Sequence, residues 1–164
     1  MFERTSRALL AALLVATGCM SSTPAAHPDP ALVVSAFTNA MIDANADALA
    51  ATFDDDATLF MPFNDFPARL EGKQQIRDVF ARLFEPLRKS KSGPPYMQLV
   101  ARDLQTQRLG DTAIVTFHIG NLPDATATSP TMFSRRTAVL QWKRDRWLIE
   151  HLHASNIRLE PAKQ

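Results

Sequence analysis

The order of secondary-structure signals in this chain predicts an α+β domain built on an antiparallel sheet. Three observations carry that prediction. Apolar residues recur at helical spacing in the first half, the period changes to that of strands after residue 95, and two tight-turn signals divide the second half into strand pairs. Each element follows in order.

Asp29 is placed to cap a helix whose first position is Pro30, with Val33, Val34, Phe37, Ala40 and Met41 on its buried side. Asp43-Ala44-Asn45 breaks it. A shorter helix is expected through 46–53, with Asp54, Asp55 and Asp56 as its solvated end. Those three aspartates lack the loop spacing of a calcium site. Ala57-Thr58-Leu59-Phe60-Met61 reads as extended and Pro62 ends it; Phe60, Met61, Phe63 and Phe66 surround the loop that follows. Gly72 to Leu87 carries Ile76, Val79, Phe80, Leu83, Phe84 and Leu87 at helical spacing. Ser90 to Pro95 is a turn region. Strands are expected at 97–109 and 111–120, joined at Leu109-Gly110-Asp111, and at 131–143 and 147–157, joined at Arg144-Asp145-Arg146.

The first residues point to export. Arg4 and Arg7 precede the apolar run Ala8–Ala16, which is too short to span a bilayer, where about 20 apolar residues are needed. Ala16-Thr17-Gly18-Cys19 resembles a bacterial lipobox, with Ala16 where Leu is usual. The resemblance implies lipidation of Cys19, a signal peptide of residues 1–18 and a tether over 19–29. The domain then occupies 30–158 and a tail 159–164. Met20 after the cysteine points to the periplasmic face of the outer membrane. Cys19 is the single cysteine, so no disulfide forms within the chain. His27 lies in the tether and is expected to be idle.

The chain has 18 Lys and Arg against 17 Asp and Glu. Loss of residues 1–18 leaves the mature chain, one domain's worth, with equal numbers of each sign. That balance gives no reason to expect nucleic acid, which favours a concentrated basic face.

If the last strand is regular, Trp147, Ile149, His151, His153 and Ser155 share one face. Two imidazoles then form the polar end of an apolar hollow, useful as donors or bases near neutral pH. A zinc site needs a third ligand, and His118 is the only other histidine in the domain, so no metal is assigned. No cofactor motif is present.

Five segments in order carry a resemblance: Phe53-Asp54-Asp55-Asp56-Ala57-Thr58, Glu71-Gly72-Lys73-Gln74-Gln75-Ile76, Gly110-Asp111-Thr112-Ala113, Arg135-Arg136-Thr137-Ala138-Val139-Leu140 and Trp147–Ser155. Together they resemble the NTF2-like superfamily. The branch they look most like is the SnoaL-like domains related to the association domain of calcium/calmodulin-dependent protein kinase II. The resemblance implies a cone, in which a curved antiparallel (mixed) sheet wraps the N-terminal helices, with a cavity at the open end and homodimers formed through the sheets. Matched to the ketosteroid isomerase branch, the oxyanion-donor position falls on Phe37 and the base position on Met61. Neither residue can perform those roles. Matched to the kinase branch, whose pocket accepts carboxylates, the last strand keeps its histidines and Arg135 or Arg136 comes near an expected arginine. The two arginines point to opposite faces, so at most one is inside.

The expectation is therefore a small-molecule binder. Its ligand is mostly apolar with an acidic or carbonyl group, held by His151, His153 and Arg135 and lined by Phe37, Phe60, Met61 and Trp147. The competing readings are an enzyme with His153 as general base oriented by Asp103 or Asp65, and a structural dimer module.

Overall fold

The computed structural model describes residues 27–62, 67–130 and 132–157. Cys19, the signal segment, Phe63, Asp65, Phe66 and the tail lie outside them. Three helices precede most of the sheet: α1 (Ala31–Ile42), α2 (Ala46–Ala50) and, after strands β1 (Phe53–Phe60) and β2 (Arg69–Glu71), α3 (Lys73–Ser90). Strands β3 (Leu99–Leu109), β4 (Thr112–Asn121), β5 (Met132–Lys143) and β6 (Arg146–Ile157) follow. They form one six-stranded sheet in the order β2-β1-β6-β5-β4-β3, antiparallel throughout except where β1 runs parallel to β6. The expected α+β class holds.

Local chemistry sets the boundaries. The Asp29 carboxylate accepts the Ala31 N–H at 2.9 Å, and Asn45 Oδ1 accepts the Ala48 N–H at 2.9 Å, so each polar residue satisfies an otherwise orphaned donor at a helix start. Gly110 has φ +65 in the β3–β4 turn. Arg144 and Asp145 take φ +54 and +60 in the β5–β6 turn, the primed geometry that matches strand twist.

Two expectations change. The second helix ends at Ala50, and Phe53-Asp54-Asp55-Asp56 belongs to β1. Asp54 is no solvated helix end: its side chain is 6 % exposed, held at 2.6 Å by Lys143 Nζ and at 2.9 Å by Arg144 Nη2. His27 is not idle either. Its ring stacks on Trp142 with centroids 4.2 Å apart, and its Nε2 lies 2.8 Å from Asp111 Oδ1.

The core lies between the helices and the inner face of the sheet. Val34, Phe37, Leu49, Ile76, Val79, Phe80 and Phe84 meet Ala57, Leu59, Val115, Phe117, Ala138, Leu140, Ile149 and Leu152. Alternation along β4 is regular: Ala113, Val115, Phe117 and Ile119 are buried and the residues between them are half-exposed.

Candidate binding cavity

β6 carries the decisive local feature. Leu140 pairs with Ile149 and Val139 pairs with His151, so Glu150 is one residue more than β5 can match. Such a bulge reverses the facing of everything beyond it. Trp147 and Ile149 point inward before it, and Leu152 and Ala154 do so after it. His151 and His153 therefore stand on the outer face, the side away from the helices. That corrects the expected interior imidazole pair. Phe60, in register with His153, shares that face, its ring 5.4 Å from His151 and 5.6 Å from His153. The expected lining role of Phe60 in the helix-side interior is corrected with theirs. His151 Nδ1 lies 2.7 Å from Thr58 Oγ1. Partial burial, then the charges of His153 and Arg69, push the His151 imidazolium towards its neutral form.

The expected acid–base pair also separates. Asp103 is on β3 and His153 on β6, with two strands between, a separation of about 14 Å at the normal strand spacing. Asp103 sits instead in a β3 bulge with φ +56, and its Oδ2 lies 2.8 Å from His118 Nδ1. Trp147 is likewise far from the wide end. β6 runs the length of the cone, and the indole at its start donates from Nε1 to the Pro28 carbonyl at 2.8 Å.

The wide end nevertheless holds a cavity of about 200 Å³. Met41 of α1, Met97 and Leu99 at the start of β3, Ile119 of β4 and Met132 and Phe133 of β5 form its apolar wall. Methionine side chains suit a pocket that adapts to its occupant. Its polar groups include Ser134 and Arg136 from the inner face of β5. The alternation that buries Ala138 and Leu140 carries Arg136 inward and leaves Arg135 exposed, so the cavity arginine is Arg136 and not Arg135. Phe37 lies beneath it, its ring centroid 5.4 Å from the Arg136 guanidinium carbon. Met61 packs against the core nearby, beside Pro62 at the rim.

Arg136 is 8 % exposed, and its Nε donates to Ser134 Oγ at 3.3 Å. Among the described residues it has no carboxylate partner. Burial alone pushes its guanidinium down to about 10, the signature of a cation removed from water without compensation. Among the described residues that line the cavity there is no carboxylate and no imidazole.

Sequence reasoning weighed Arg136 and did not choose it, and it missed Ser134, Met97 and Met132. A usable signal was the shared parity of Ser134, Arg136, Ala138 and Leu140. Val139, apolar on the opposite face, obscured it.

A six-stranded curved sheet folded around helices, with a hollow at its open end, defines the class of NTF2-like cones. Residues 32–159 match the SnoaL-like domain, and the chain belongs to that family. No functionally curated protein matches it in sequence. Solved structures share the fold. One, described as a calcium/calmodulin-dependent protein kinase type II association domain from Thiobacillus denitrificans, is 20% identical. It has a TM-score of 0.64 over 80% of this chain and 98% of that one. One described as a ketosteroid isomerase, from Parabacteroides distasonis, is 20% identical with a TM-score of 0.57 over 80% and 89%. One described as a dehydratase of the NTF2-like family, from Streptomyces avermitilis, is 21% identical with a TM-score of 0.59 over 78% and 93%.

Proposed function

We propose that this protein is a lipid-anchored envelope protein whose wide-end cavity binds a small, mostly apolar molecule bearing a carboxylate. The observation that supports this most directly is Arg136: a buried guanidinium lining an apolar hollow, with no carboxylate beside it among the described residues. A ligand carboxylate supplies the missing negative charge in the two-pronged geometry that arginine favours. The thioethers and Phe133 take the apolar remainder. The absence of an acid or base among the described lining residues favours binding over catalysis. Lipidation of Cys19 places the binder at the periplasmic face of the outer membrane.

Thermal unfolding of the mature chain with short fatty acids and benzoate, against the matching primary amides, tests the reading. Carboxylates raise the transition, by about 2.7 kcal/mol at a hundredfold excess over Kd, and amides do not. Arg136→Met abolishes the gain and His153→Ala leaves it intact. Equal stabilisation by amide and acid overturns the proposal.

A second reading, a homodimer through the outer sheet face, is favoured by the half-buried row of Ile114, Val139 and His151 beside Phe60. No described helix covers that row. Val139→Lys lowers the mass in solution to that of one chain if the reading holds.

A further inference from the structure

The narrow end of the cone carries a second apolar recess, and the tether leaves the domain beside it. We propose that this end is a membrane-docking surface: the rim of Leu32, Val33 and Trp142 rests on the bilayer to which Cys19 fastens the chain. The inference rests on the lipid-anchor reading above.

The recess measures about 270 Å³ and lies between the first turns of α1 and the two indoles. Leu32 stands 62 % exposed at its edge. The half-exposed Trp142 indole at such a rim suits the boundary between hydrocarbon and water, while Trp147 is buried beneath it. The chain is pinned at the same place. Arg108 Nη2 donates to the carbonyls of His27 and Pro28 at 2.8 and 2.9 Å, and its guanidinium lies 5.4 Å from the Trp147 ring centroid. With the His27–Trp142 stack and the Trp147–Pro28 hydrogen bond, these contacts fix where the tether begins.

Length then decides orientation. From Cys19 to His27 the chain reaches at most about 28 Å when fully extended. β6, with 12 residues, spans roughly 36 Å between the two ends of the cone. A tether pinned at the narrow end is too short to reach past the wide end, so the cavity mouth cannot face the membrane. The narrow end, where the tether leaves the domain, lies within its reach of the bilayer.

Charge does not drive the contact. Of the charged groups, Arg146 lines the recess together with Asp29 and Asp145, and Arg144 is held by Asp54 and Asp55, so there is no cationic excess and neither anionic lipid nor low salt is required.

Both tryptophans of the chain line the recess, Trp142 at its edge and Trp147 buried beneath, which makes them its probe. The chain from Cys19 onward is coupled through that single thiol to maleimide lipid in phosphatidylcholine vesicles, with plain or brominated acyl chains. Bromination causes a loss of tryptophan emission that high salt does not restore and that Leu32→Asp does. An aspartate in the first helical turn also suits the helix dipole, so that variant folds. Equal emission from plain and brominated vesicles overturns the docking surface. The anchor is read separately: Cys19 without lipid by mass spectrometry, in chain extracted from cells, overturns the anchor and with it the docking, whatever the vesicles show.

Discussion

Arg136→Met is expected to make the empty protein more stable while removing its response to carboxylates. The magnitude follows from burial. Displacing the guanidinium from its ordinary value to about 10 costs the charged form roughly 3 kcal/mol at neutral pH, at about 1.4 kcal/mol for each tenfold step. The sign is that of a cation whose folded-state value is depressed: the cost is fully present at neutral pH and is relieved only in strongly alkaline solution. Against it stand the contact with the Phe37 ring, worth about 1 kcal/mol, and the 3.3 Å hydrogen bond to Ser134, worth under about 1 kcal/mol. Methionine has similar reach and fills the site without charge. The variant should gain about 1 kcal/mol, roughly 3 °C in melting temperature for a domain of this size. Urea and thermal unfolding of both proteins, with and without octanoate, provide the assay. A loss of more than about 1 kcal/mol in the variant without ligand would show that the guanidinium has a counter-charge inside the fold, and the reasoning would fail.

Three further outcomes are expected. Asp54 is held below the usual carboxylate range by the hydrogen bond from Lys143, against the opposing effect of burial. It therefore stabilises the fold above about pH 4, and this contribution is lost as pH falls through its lowered value; Asp54→Asn removes about 1–3 kcal/mol at pH 7 and flattens the acid limb of a stability–pH curve. His151 has the opposite consequence. Its depressed value means that the unfolded chain binds the proton more readily, so stability should decline as pH falls below about 6.5, and His151→Gln should blunt that decline. Gly120 gives a steric test: a Cβ there would lie 2.5 Å from Pro130 Cγ, so Gly120→Ala should cost about 1–3 kcal/mol, measured by denaturant unfolding.

The terms of the fold were legible because they rest on periodicity and turns. Gly110 and the Arg144-Asp145 pair marked both hairpins, and Val79, Phe80 and Phe84 marked α3. β2 was not legible, since three residues alternate too briefly to show a period. The first aspartates of β1 looked like a helix end because a charged run inside a strand needs distant cations, and Lys143 and Arg144 are about ninety residues away. The site was half legible. Composition identified an apolar hollow with an arginine, but not which arginine, because Val139 masked the alternation of β5; it also put the histidines inside, because a bulge is a mismatch between two strands and neither strand's own sequence declares it.

Glu150 thus acts as a phase shift written into a single position. Two proteins can share the spacing of a tryptophan and two histidines, letter for letter, and yet present those imidazoles to opposite sides, one to its interior and one to its neighbours. Shortening the strand at Glu150 by one residue would exchange the two faces of its far half and turn Leu152 out to water. What a pair of histidines does in such a protein is thereby decided by a residue that touches neither the cavity nor a ligand.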